Sequence, residues 1–261
     1  MSWASRRRLL YLTGVILFFA LIIGGPIVYK IANIKETCHD GIINHGETAV
    51  DRGGPCLLLD ENALLPTSVV WARALPVRNG SYNAVAYIQN SNKQAGVLHA
   101  QYVFRLYDDG HVLLAERKGE TYIMPAGITP IFEPHIDTGN RAVARTSFEF
   151  TNKPLQWEWM HSTISSVAVS GMLLTNTDTN PQLIAHASNI TVSRIRDISF
   201  VAVVFDTIGN ALSASATTLA SIDGSGRAEL SFRWPNPFPL VVGSTDVLPL
   251  KAPVEDTTAE R

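Results

Sequence analysis

Cys38 and Cys56, the two cysteines of this 261-residue chain, enclose the stretch where side chains able to do chemistry are densest. Between them Asp40, Asn44, Glu47 and Asp51 place an oxygen at every third or fourth position, and Gly41, Gly46, Gly53 and Gly54 permit tight turns. Hard cations such as Ca²⁺ take about six to eight such oxygens from flexible loops, so these four residues form a candidate calcium set. His39 and His45 open a second possibility, a zinc site with Cys38 and Cys56, although the usual Cys-x2-Cys or His-x3-His spacing is missing. The third reading is a Cys38–Cys56 disulfide that staples a polar spacer. In an exported chain such a bridge forms readily and contributes about 3 kcal/mol in the chain-entropy model. The stapled spacer is the expectation, with calcium as the alternative cofactor.

Residues 38–56 also resemble the short Cys-x-Asp-Gly-x-x-Asn-x-Gly-Glu-x-x-x-Asp-Cys-Gly-Gly-Pro-Cys segments of many secreted and surface-anchored proteins, commonly bacterial. The match rests on Asp40-Gly41, Asn44, Gly46-Glu47, Asp51 and Gly53-Gly54-Pro55-Cys56. It departs at Arg52, which replaces a cysteine and puts a positive charge among the candidate ligands. The even pair of cysteines agrees with one remaining bridge.

Elsewhere the signatures of catalysis are missing. The chain has no Gly-x-Ser-x-Gly elbow, His-Glu-x-x-His helix, phosphate-binding Walker loop or dinucleotide glycine fingerprint. His99, His111, His135, His161 and His186 are scattered without ligand spacing. Asp108, Asp109, Glu116, Glu120, Glu133 and Asp137 could pair for glycoside hydrolysis only if folding set two of them at the required separation. The formal net charge is −2, and no basic stripe with interleaved aromatics occurs, which argues against a nucleic-acid partner. Asn79-Gly80-Ser81 and Asn189-Ile190-Thr191 fit the glycan acceptor pattern.

The elements that carry these residues begin with Leu9 to Val28, an almost uncharged run directly after Arg6-Arg7-Arg8. At about 1.5 Å per residue it crosses a hydrocarbon core roughly 30 Å thick. A cleaved signal peptide and a buried core helix are the alternatives; the end at Gly24-Gly25-Pro26 is a poor cleavage site. The three arginines before the run, against Lys30 and Lys35 after it, orient the N-terminus to the cytoplasm. Membrane lipid is then one partner, and the bulk of the chain faces outward.

From Thr67 the pattern changes to short apolar or alternating runs separated by turns, the mark of strands. Examples are 69–75, 84–88, 101–107 and 111–115, with Asp108-Asp109-Gly110 as a hairpin turn. A shift of 98 lays 83–108 over 181–206 without a gap, pairing Val85 with Leu183, Val97 with Ile195, Tyr102 with Phe200, Leu106 with Val204 and Asp108 with Asp206. Further on, Ile131-Phe132 faces Ser231-Phe232. Such a period suits two tandem sandwiches of immunoglobulin size. Phe104-Arg105-Leu106-Tyr107-Asp108, degenerate in Ala202 to Asp206, resembles the signature of FxLYD-type domains, small β-sandwiches often tethered to bacterial membranes. That resemblance implies a fold, with the aromatic and Leu positions as core, and no activity.

The expected architecture is therefore mainly β: an N-terminal transmembrane helix followed by two tandem immunoglobulin-like β-sandwich domains. Its parts are a cytoplasmic N-terminus (1–8), the anchor (9–29), the disulfide loop and linker (30–60), a first sandwich (61–154), a second (155–245) and a disordered tail (246–261). Trp157 and Trp159 are expected to pack where the modules meet, or to present an aromatic surface. The prolines of Trp234 to Pro239 deny that run a central strand. The expected function is a single-pass, non-catalytic binding or scaffolding protein of the cell envelope, with envelope proteins as possible partners. The alternatives are a structural or accessory subunit of a secretion, pilus or cell-wall assembly, and a sandwich-loop hydrolase.

Overall fold

The computed structural model describes residues 3–32, 38–44, 46–160 and 166–251. It divides into two units, Met1–Cys56 and Leu57–Arg261. In the first, helix α1 spans Trp3–Ala32, 30 residues with no acidic side chain in its first turn. Its window Arg7–Pro26 has a mean hydropathy of 2.2 and none of it is buried, so its apolar side chains face outward all round. At about 1.5 Å per residue the helix exceeds the thickness of a bilayer core. The Arg7 guanidinium lies 4.1 Å from the Trp3 ring centroid, a pairing of cation and aromatic suited to the membrane boundary.

The second unit is built of antiparallel strands. The first six are β1 (Ser68–Arg78), β2 (Ser81–Asn90), β3 (Ala95–Tyr107), β4 (Leu113–Ile123), β5 (Gly127–Asp137) and β6 (Arg145–Phe150), with the two-residue β7 (Glu158–Trp159) beside β3. They form sheets ordered β1-β2-β5 and β4-β3-β6. The remainder are β8 (Val167–Thr175), β9 (Gln182–Asn189), β10 (Ile195–Asp206), β11 (Ala211–Ile222), β12 (Arg227–Arg233) and β13 (Val242–Lys251). These pair as β8-β9-β12 and β11-β10-β13, the same order of connections. The protein is thus a mainly β chain in which an N-terminal apolar helix precedes two β-sandwiches.

What joins the sandwiches is legible in two strands whose apolar residues run without a break. Ala84 to Ile88 on β2 and Phe200 to Val204 on β10 are all buried. Because successive strand residues point to opposite faces, Ala84, Ala86 and Ile88 fill the first sandwich while Val85 and Tyr87 turn the other way. Likewise Phe200, Ala202 and Val204 fill the second, and Val201 and Val203 meet Val85 and Tyr87. Leu75, Ala214, Trp71 and Phe205 complete this third apolar cluster. Sheet β1-β2-β5 therefore lies on sheet β11-β10-β13, and the unit is four sheets deep with three apolar layers between them. Each fully buried Val- or Leu-sized side chain contributes about 1.5–3 kcal/mol.

The structure changes several sequence-level boundaries. Met160 N donates to Gln94 O at 2.8 Å, β7 pairs with β3, and Leu155 and Trp157 pack on the first core. Residues 155–160 therefore close the first sandwich rather than open the second, and Trp157 and Trp159 are not where the modules meet. Residues 246–251, placed in the tail by sequence, form part of β13, which pairs with β10. Pro249 is accommodated because β13 is the outer strand of its sheet, where a missing N–H is tolerated. The rest of that tail lies outside the described residues.

The gap-free overlay also needs a correction. It holds for β3 and β10, where Val97 and Ile195, Tyr102 and Phe200, and Leu106 and Val204 all face their own cores. In β2 and β9 it puts Val85, which faces the junction, against Leu183, which faces inward. A shift of one residue more restores the match, since a one-residue slip reverses every side chain. Two buried asparagines mark that register. Asn90 Nδ2 donates to Ala95 O and Met124 O, while Asn189 Nδ2 donates to Ser193 O, Ile222 O and Asp223 O. By the same register Ile131, paired with Ala86, answers to Leu230, paired with Ala185, and not to Ser231.

Candidate functional site

The Cys38–Cys56 loop is closed by a disulfide of Cα–Cα distance 5.5 Å. Both sulfurs are thereby committed, so the proposed zinc set loses two ligands; His39 is exposed and His45 lies outside the described residues. The ligand atoms of Cys38, Glu47 and Cys56 lie within 4.8 Å of one another, and here the two sulfurs bind each other.

Three of the four candidate calcium ligands, Asp40, Glu47 and Asp51, accept the loop's own backbone N–H groups, and Asn44 bonds the Asp40 side chain. Asp51 Oδ1 accepts Asp40 N at 3.0 Å and Gly41 N at 3.2 Å, and Asp51 Oδ2 also accepts Gly41 N. Asp40 Oδ1 accepts Ile42 N at 2.9 Å and its Oδ2 accepts Asn44 Nδ2 at 2.7 Å. Glu47 is buried and its Oε2 accepts Asp51 N at 3.1 Å. The carboxylates thus take the place of water for N–H groups that a loop without strands would leave unpaired. Gly53 and Gly54 are required on two counts. Their φ values are 72° and 55°, and a Cβ on Gly53 would sit 2.1 Å from Thr48 Oγ1, one on Gly54 2.2 Å from Gly46 O.

Five of the six carboxylates considered for hydrolysis have structural partners, and Asp109 is exposed in the β3–β4 turn. Asp108 ties down the β3–β4 turn through Val112 N at 2.8 Å and pairs with Arg141. Glu116 binds Arg105 at 2.8 Å and Lys118 at 3.2 Å, and Arg105 first, then Lys118, hold its pKa below the usual value. Arg105 also pairs with Glu149. Glu120 contacts His99 at 2.7 Å, and Asp137 accepts Gly139 N. Glu133 Oε1 accepts the Tyr102 hydroxyl at 2.7 Å, and burial, then this bond, drives the Tyr102 pKa upward. Phe104 and Leu106 are fully buried, as the core role of that signature requires. Asn189 is buried and its amide occupied, which closes that glycan acceptor; Asn79 is exposed on the β1–β2 turn.

A site that sequence inspection missed lies where the two sandwiches meet. One hollow of about 440 Å³ is walled by Pro76 and Val77 of β1, Asn83 of β2, Phe132, Pro134 and His135 of β5, Leu212 to Ala216 of β11, and the run Arg233 to Pro239. A second, of about 660 Å³, takes in Arg78 to Gly80, Tyr82 and Asn140 to Ala142, and shares Pro76, Val77, Asn236, Pro237 and Pro239 with the first. Together they form a groove. Asn83 pins its floor, donating to Ala214 O at 3.1 Å and accepting His135 N at 3.1 Å. Asn236 donates to Val77 O across it. Trp234 is 5% exposed, stacks edge-on with Phe238 at 5.3 Å between centroids, and its buried Nε1 has no hydrogen-bond partner.

The signal for this groove was the Trp234-Pro235-Asn236-Pro237-Phe238-Pro239 run, in which rings alternate with prolines. The run was legible as a non-strand. That it faces β1, 159 residues away at the Asn236–Val77 bond, and Phe132 to His135 of β5 was not.

No protein family and no curated protein matches the chain. Among solved structures, a red sea bream transglutaminase superposes with a TM-score of 0.26 and 8% identity, covering 73% of this chain and 32% of that one. An exo-chitosanase of Amycolatopsis orientalis gives 0.20 and 9%, over 68% and 26%. A glycoside hydrolase family 2 β-glucuronidase gives 0.20 and 10%, over 68% and 21%. Superpositions this loose decide nothing about activity.

Proposed function

We propose that this is a single-pass membrane protein with its N-terminus in the cytoplasm, whose stacked sandwiches act on the outer side as a non-catalytic binding module of the cell envelope. The two sandwiches are read as copies of one immunoglobulin-like module of the FxLYD type, related by the matched strand order and by Asn90 and Asn189.

The observation that carries the binding reading is the make-up of the groove. Its walls hold guanidinium groups, amides and rings, and among the described residues no carboxylate. A bound molecule would find oriented partners there. The location rests on the exposed apolar helix behind three arginines. The Cys38–Cys56 loop serves as a stapled spacer between the two.

Protease applied to intact cells tests the arrangement: the sandwiches should be digested and a short N-terminal fragment spared. A full-length product in the soluble fraction with free thiols would overturn it. Release of the sandwiches into the medium without residues 1–30 would show that the helix is a cleaved signal.

A further inference from the structure

We infer that the groove between the sandwiches binds an acidic oligosaccharide, a chain of sugar rings bearing carboxylates. This rests on the binding reading above and names its ligand class.

Charge comes first. The charged groups of the groove walls are Arg78, Arg141 and Arg233, with His135 as the one further titratable imidazole, in a chain whose net charge is −2. Arg141 is paired with Asp108; Arg78 and Arg233 are exposed and make no ion pair among the described residues. Unopposed guanidinium groups beside low-dielectric walls concentrate anions and take carboxylates with two parallel hydrogen bonds.

Shape and chemistry then separate sugars from peptides. Pro76, Pro134, Pro235, Pro237 and Pro239 carry no N–H, so the part of the wall they build offers no backbone donor at these positions to an extended peptide, which depends on such donors. The same pyrrolidine rings, with Phe132 and Phe238, present flat apolar faces of the kind the C–H side of a sugar ring covers.

Calorimetric titration of the full chain in nanodiscs tests this with three probes: trigalacturonate, neutral cellotriose and triglutamate. Trigalacturonate should bind, more weakly as salt rises. Arg233→Gln and Arg78→Gln should each weaken it about tenfold, the loss of one charge-assisted bond pair, with thermal unfolding unchanged because both side chains are exposed. Arg117→Gln, outside the groove, should leave binding unaltered. The inference fails if trigalacturonate gives no heat, if cellotriose or triglutamate binds as well, or if both groove variants bind normally. Protease shaving of cells is unaffected by any of these results, so a correctly displayed chain that binds no sugar acid overturns the ligand class alone.

Discussion

In the loop from Cys38 to Cys56, Ile42, Ile43 and Val50 are exposed, and the residues that are buried are Glu47, Gly53 and Cys56. In the stacked sandwiches the reverse holds: Ala84 to Ile88 and Phe200 to Val204 leave water completely, on both faces of their sheets. The loop keeps its shape through a covalent bridge and carboxylates turned onto backbone N–H groups; the sandwiches keep theirs through three apolar layers. A short polar segment cannot bury enough surface to offset its conformational entropy, so it depends on a staple. The long unit has the surface and needs none. Four changes break this contrast by decreasing amounts.

The largest effect is expected from Val203→Asp, which puts a carboxylate into the apolar junction between the sheets. Denaturant unfolding should show a loss of about 4–5 kcal/mol, the cost of burying an unpaired charge. The loop should be untouched, with its amide exchange unchanged. The converse experiment is Cys38→Ser with Cys56→Ser. It should remove about 3 kcal/mol of constraint from the loop, seen as lost exchange protection across 38–56, while the unfolding midpoint of the sandwiches stays put. If that midpoint falls with the bridge, the two regions are not held independently.

Within the sandwiches, Asn90→Ala and Asn189→Ala should each cost about 2 kcal/mol, because each leaves buried carbonyls without a donor. Equal losses support one module used twice; a loss confined to one side argues against it. The smallest effect concerns acid. Asp206 accepts Asn210 N at 2.7 Å and Ile208 N at 3.0 Å, and these bonds, the Asn210 backbone foremost, hold its pKa below the usual carboxylate value. A group whose folded pKa is lowered stabilises fully above its unfolded pKa, and that stability is lost as pH falls through the folded pKa. Asp206→Asn should therefore flatten the acid limb of the stability profile below about pH 4 by lowering stability at neutral pH, where the ionised carboxylate contributes, while leaving it nearly unchanged in acid. In the loop, with Asp40, Glu47 and Asp51 already engaged, millimolar Ca²⁺ should produce no heat; a saturable exotherm would favour the calcium reading over the stapled spacer.

Much of the fold was legible because it follows local rules. An unbroken apolar stretch behind arginines reads as a membrane helix, alternating runs bounded by Asp-Gly or Asn-Gly read as strands, and two cysteines closing a glycine-rich polar loop read as a bridge. Even the double-faced burial of β2 and β10 is foreshadowed by their continuous apolar runs, although such a run does not say what covers its second face. The misplaced boundaries share one cause. Leu155, Trp157 and Val247 were judged by their neighbours in sequence, whereas each is held by strands far away in the chain.

The order of residues by itself determined the helix, the bridge and the strand periods, since each depends on groups close together in the chain. Only the tertiary structure decided that one sandwich lies face to face on the other, that the second half runs one residue out of step in β9, and that Pro76, His135, Arg233 and Trp234 wall a common groove. Those outcomes depend on which apolar faces find each other once the sheets exist. That choice is made by burial across the whole unit, and no local pattern encodes it.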